Sequence, residues 1–307
     1  MENSFSPGTA NEEAIIDKAP PLVPPPLQQQ LHTVIPAEGG RSSCSTCDSN
    51  AADSVQYVYT IGRIRARFPG VAIEREFAQA VGRIKTDGMT DNAVMYKVLS
   101  DPQNLYLARK ICWTIAVEGM ETYLLQPMVA ADLDMLISSL KPTTDVNDIN
   151  VVLGVLGPIA PPAYCNGLQL PIIGFTQVYS FDVPTLIKSI PNPDKAKNFT
   201  AIAEELFMRI MQMTDNAGAT DDHRALNYLA VRYPGIYATA ADCYARNFSL
   251  TGVEARPSAL NGTRKMVDVI FTFSNRVSDA TEKYYCRVDV TEEFPFLVTR
   301  MQSYLER

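Results

Sequence analysis

The chain has 307 residues, 46% hydrophobic and 20% charged, an ordinary globular mix that permits one large domain or two small ones. A folded part of about 250 residues buries roughly 70–75% of its unfolded surface and needs no staple to fold. The net charge of −7 argues against nucleic-acid binding, which calls for a concentrated basic patch, and suits a cationic or neutral peptide better.

The first residues, Met1-Glu2-Asn3, show no basic and then apolar leader, so no secretory signal is expected. Residues 1–53 read as a disordered tail and linker, with Pro24-Pro25-Pro26, Gln28-Gln29-Gln30, Gly39-Gly40 and a Ser-rich run, a composition too poor in apolar surface to fold. From residue 54 to 307 the pattern is that of a folded domain. A β-branched and aromatic strand begins at Val55, and Arg63, Arg65 and Arg67 follow at alternate positions, a solvated or carboxylate-paired strand face. A helical stripe runs through Ala72, Ile73, Phe77, Ala80, Val81 and Ile84. Thr90 is placed to cap a helix through Leu99, and Asp101-Pro102 to cap another that ends near Lys110. Cys112–Val117 and Glu121–Gln126 make a hairpin about Glu118-Gly119, followed by a helix over 130–139. The most apolar stretch, Val151–Pro162, is broken by Gly154, Gly157, Pro158, Pro161 and Pro162, so no membrane helix is expected and the chain reads as cytoplasmic. Strands over 149–156 and 170–181 come next, with Asp182 capping a short helix, 183–189. Helices at 199–213, 221–231 and 234–246 precede a strand near 250–256 and a final hairpin, 265–275 against 282–290. The segment Glu292-Glu293-Phe294-Pro295-Phe296 reads as a solvated edge. Clustered rather than alternating elements predict an α+β fold with mixed or antiparallel sheets.

No catalytic constellation stands out. The two histidines are His32, in the tail, and His223; there is no nucleophile elbow, phosphate loop, dinucleotide fingerprint or zinc-protease helix motif. The most polar stretch runs from Asp215 to Arg224. Asp215, Asp222 and His223 could act as ligands or as an acid–base set, but capping explains the same residues: Gly218 ends one helix, Thr220 caps the next, and Asp221 and Asp222 face its positive end. Without export the six cysteines are expected as thiols or metal ligands. Cys44-Ser-Thr-Cys47 has the spacing with which two thiolates grip one tetrahedral zinc. Half a site needs further ligands. Cys165, in a turn-like segment, is the nominated third, Cys112 and Cys286 read as buried core, and Cys243 goes either way. Two chains sharing one zinc, or a tail with two exposed thiols, remain open alternatives.

Several blocks are long and unusual: Tyr57-Val-Tyr-Thr-Ile-Gly-Arg-Ile-Arg-Ala-Arg-Phe-Pro, Gly157-Pro-Ile-Ala-Pro-Pro, Tyr179-Ser-Phe-Asp-Val, Met211-Gln-Met-Thr-Asp-Asn-Ala-Gly-Ala-Thr and Asp289-Val-Thr-Glu-Glu-Phe-Pro-Phe-Leu-Val-Thr. With them, residues 55–300 resemble the C-terminal domain of the PatA/PatG-type cyanobactin maturation proteases, a domain of unknown function. The resemblance implies a place in ribosomal peptide maturation without the subtilisin-like protease domain, whose triad motifs have no counterpart here. It also implies a C-x-x-C in the preceding linker, in favour of zinc at Cys44 and Cys47, although Asp48 follows where a zinc knuckle favours Gly. The leading expectation is a non-catalytic accessory module that binds precursor peptide or other maturation enzymes, or forms a homodimer, with no nucleic acid or membrane as partner. The final hairpin offers an edge for strand addition in that reading. A peptide-modifying enzyme using Asp222, His223 and Arg224, and a zinc-stabilised structural domain, are the alternatives.

Overall fold

In the computed structural model, which describes residues 55–141, 148–190, 198–212, 216–260 and 262–305, the first strand is β1, Tyr57–Arg67. It changes partner along its length. Tyr57–Gly62 pair with β4 (Asp148–Ile159), and Arg63–Arg67 pair with β2 (Cys112–Val117), both antiparallel. β2 turns through Glu118 and Gly119, both at positive φ, into β3 (Met120–Leu125), as the hairpin pattern requires. β5 (Pro171–Asp182) pairs along most of β4 and closes the sheet against β3, giving a closed barrel in the order β1-β2-β3-β5-β4. The closing seam is parallel and short, with Leu124 opposite Ile172 and Leu125 opposite Ile173.

Strand alternation divides the apolar residues between two cores. Val58 and Ile64 of β1 join Trp113, Ile115, Tyr123 and Phe175 with four helices: α1 (Val71–Val81), α2 (Asp91–Leu99), α3 (Leu105–Ala108) and α4 (Ala130–Ser139). Trp113 meets its one polar need there, donating Nε1–H to the carbonyl of Ala108 at 3.0 Å. Tyr59 and Ile61 point the other way. They pack with α5 (Val183–Ser189), α6 (Phe199–Met211), α7 (Asp221–Arg232) and α8 (Gly235–Ala245). The same core takes in a second sheet: β6 (Phe248–Pro257), β7 (Met266–Asn275), β8 (Thr281–Asp289) and β9 (Phe296–Ser303), an antiparallel meander in that order. The architecture is α+β, one mixed and one antiparallel sheet with clustered helices.

The capping residues read from the sequence are in place. Thr90 Oγ1 accepts from the Ala93 amide, Asp101 from Gln103 with Pro102 at the first helical position, Asp182 from Thr185, and Thr220 from His223. Three expectations are corrected. The final hairpin is interior: β7 and β8 each have two neighbours, so the sheet's edges are β6 and β9. The stretch after residue 291 is not simply a solvated edge, because it leads into β9. There the amides of Leu297 and Met301 donate to the hydroxyls of Tyr228 and Tyr233, at 3.2 and 2.9 Å, so side chains from α7 and its end cover that strand where a partner strand would otherwise bond. Third, Cys112 and Cys165 are joined in a disulfide rather than held as thiols. Cys112 lies on the outward face of β2, and the segment after β4 folds back over it, bringing the two Cα atoms to 5.7 Å, within bridging reach. With Leu124, Ala160, Leu168, Leu170 and Ile172 the pair forms a small third core. Among the described residues no helix is long and apolar enough to cross a membrane.

Candidate functional site

The conspicuous polar stretch before and in α7 is used for structure. Asp215 lies outside the described residues. Gly218, at φ +79°, does not terminate a helix, since α6 ends at Met211; it lies against β1, its carbonyl accepting from the Tyr59 amide at 2.9 Å. A Cβ there would sit 2.3 Å from the Tyr59 carbonyl oxygen, so only glycine fits. Asn216 and Asn227, both buried, bond to each other at 2.8 Å, and Asn227 donates to the Tyr59 carbonyl. Arg224, 2% exposed, donates to the carbonyls of Val290, Glu292 and Glu293 and holds its guanidinium over the Tyr57 ring. Burial draws its pKa below the ordinary arginine value. Asp221 lies 3.5 Å from both Arg224 and Lys265. Burial also raises the Asp222 carboxyl, against the attraction of His223. This end of α7 therefore clamps the segment between β8 and β9 against β1. Glu293, read as solvated, accepts from the Thr176 hydroxyl of β5.

The cysteines divide three ways. Cys44 and Cys47 lie outside the described residues. Cys165, the third nominated ligand, has its sulfur bonded to Cys112 and so offers no thiolate for zinc in this structure. Cys243 and Cys286 are buried, which pushes their thiols up to about 11 and about 12. Such thiols stay protonated at neutral pH. Among the described residues no three His, Cys, Asp or Glu side chains come together to hold a metal.

Two large clefts lie elsewhere, on the outward face of β1. That face is apolar where the helices cover it, at Tyr59 and Ile61, and cationic where it emerges, at Arg63, Arg65 and Arg67. One cleft, about 760 Å3, runs between this strand and α5–α6, with Ile61, Ile149, Val183, Phe207, Met208 and Met211 in its lining. Its polar residues include Glu118 from the hairpin turn and Glu204 and Gln212 from the α6 side. The other, about 740 Å3, lies beside the three arginines, walled by Glu74 of α1, Asn92 and Met95 of α2 and the turn Cys165–Leu168. The disulfide fixes that turn, whose residues Cys165, Asn166 and Gly167 all have positive φ. Arg63 and Arg65 line both clefts.

Within this arginine row the partners differ. Arg67 pairs with Glu121, and Arg63 is engaged as well. The guanidinium of Arg65, half-buried, makes no hydrogen bond or ion pair among the described residues. Sequence reasoning noted the arginines as a solvated face and missed the cleft. The available signal was Met208, which falls off the buried Ile202–Leu206–Ile210 stripe of α6 and stands 50% exposed.

Comparison with known proteins finds a family likeness over about the last third of the chain. Residues 193–304, which span α6 to β9, match the family model described as PatG C-terminal. A solved structure titled "PatG Domain of Unknown Function" shares the fold at a TM-score of 0.63 and 20% identity, over 81% of this chain and 98% of that one. No curated protein matches the chain.

Proposed function

We propose that this chain, which carries a PatG C-terminal domain over residues 193–304, is a non-catalytic accessory module of a cyanobactin-type peptide maturation system and holds precursor peptide in the cleft between β1 and α6. The observation that carries this reading is the cleft itself. Its volume of about 760 Å3 takes several side chains, its floor is aliphatic and aromatic, and polar groups stand at its margin. Methionines 208 and 211 give it a lining that repacks around different side chains, which suits a module that must accept variable peptides. Seating one leucine side chain there is worth about 1.5–3 kcal/mol before the cost of ordering the peptide. At α7, Thr220 caps the helix and Arg224 is held by backbone carbonyls and Asp221, which weighs against a reaction site built on that arginine.

The test is fluorescence anisotropy with a fluorescein-labelled eight-residue peptide carrying two leucines. Saturable binding is expected, weakened at least tenfold by Met208→Glu, a substitution at a half-exposed position that should leave the circular dichroism spectrum unchanged. Mass spectrometry of the incubated peptide should show no change. Absence of saturable binding, or equal binding by Met208→Glu, would sink the proposal.

A further inference from the structure

We infer that the cationic end of β1 is a carboxylate subsite, in which the Arg65 guanidinium receives an acidic group of the peptide whose apolar side chains lie against α6. This rests on the peptide-holding reading above. Three observations carry it.

Cations gather locally in a chain of net charge −7: the cleft beside α1 and α2 is lined by Arg63, Arg65 and Arg67 with one carboxylate, Glu74, while Glu121 is taken up by Arg67. Second, Arg65 is half-buried and its guanidinium makes no hydrogen bond or ion pair among the described residues, whereas Arg67 on the same face has Glu121. A partly desolvated cation with no partner is an unfilled demand for an anion, and a planar guanidinium meets a carboxylate with two parallel hydrogen bonds. Third, Arg65 lines both clefts, so a ligand group on it is continuous with one seated on the apolar floor.

Strand geometry sets the spacing. Ile61 and Arg65 lie on one face four residues apart, on the order of 13 Å at the strand rise. Ile61 is itself covered, so the peptide's apolar residue rests on the exposed Met208 beside it, and an extended chain brings the group about four residues along towards Arg65. The acidic neighbours choose among anions. Glu74 on one side, and Glu118 and Glu204 on the other, leave room for a single negative charge and repel a dianionic phosphate or a charged nucleic-acid backbone. The carboxylate can come from a Glu or Asp side chain or from the peptide's own C-terminus, since both present the same two oxygens.

The experiment uses the full chain and three fluorescein-labelled eight-residue peptides with the same two leucines. One carries a glutamate four residues after the first leucine and an amidated end, one has glutamine there with an amidated end, and one has glutamine with a free C-terminal carboxylate. The glutamate peptide, the free-carboxylate peptide, or both should bind at least tenfold tighter than the doubly neutral one, and which of them does so identifies the source. Arg65→Gln should abolish that difference; Met208→Glu should weaken all three. Equal affinities for the three peptides, or discrimination that survives in Arg65→Gln, would overturn the carboxylate subsite and leave the apolar cleft standing. Displacement of peptide by inorganic phosphate at concentrations where acetate has no effect would overturn it in favour of a phosphate ligand. Failure of every peptide to bind would remove the underlying reading together with this one.

Discussion

Two arginines, 159 positions apart in the chain, occupy opposite situations. Arg224 is buried, donates to three carbonyls and lies over a tyrosine ring. Arg65 is half-buried, lies between two clefts and has no partner for its charge among the described residues. In the sequence the first belongs to the most polar and most site-like stretch, and the second to a plain strand. The difference teaches that a dense polar motif can mark a structural junction, where most buried polar groups find partners on other elements. A cation at the edge of a cleft whose guanidinium bonds to nothing points to a ligand instead.

The contrast can be broken by substitution. Arg224→Met removes a buried charge that holds three carbonyls, and it should lower unfolding free energy in urea by about 3–5 kcal/mol, the scale for disrupting a buried ionic network. Arg65→Gln should change it by no more than about 0.5 kcal/mol, as for a surface residue without partners. If the two variants lose similar stability, the distinction between clamp and site fails. A smaller effect is expected at Gly218, whose Cβ would meet the Tyr59 carbonyl and whose φ is +79°; Gly218→Ala should cost roughly 2–3 kcal/mol. Gly88→Ala, at a similar φ of +73° but in open space, should cost only about 1 kcal/mol by the same measurement. Equal losses would show that docking of this loop on β1 contributes nothing.

The smallest effect sharpens the comparison through pH. The Asp222 carboxyl is raised above its ordinary value, chiefly by burial. A raised folded pKa gives a stabilisation that is fully present below the unfolded value and is lost as pH rises through the folded one. Asp222→Asn should therefore gain in melting temperature relative to the parent between pH 3 and 6, by a modest amount because the group is only partly buried. A difference that shrinks over this range would show that the helix end favours the charged form instead.

Local signals were legible throughout. Thr90, Asp101, Asp182 and Thr220 act within three residues of themselves, and the Glu118-Gly119 turn joins adjacent strands, so composition at those positions suffices. What escaped was non-local. The parallel seam joins Leu124 to Ile172, the disulfide joins residues 53 apart, and β9 is completed by tyrosines from near residue 230. The site escaped for the same reason, since its cleft is assembled from β1, the hairpin turn, α5 and α6, and no window of the sequence contains more than one wall.

The bridge between Cys112 and Cys165 has a topological consequence. Every residue of β3, of α4 and of β4 lies on the covalent loop it closes. A protease that cuts the chain once between residues 113 and 164 therefore does not produce two molecules. The pieces stay tethered beside the two-pair seam, and the cut protein migrates as one species on a denaturing gel until a reducing agent is added.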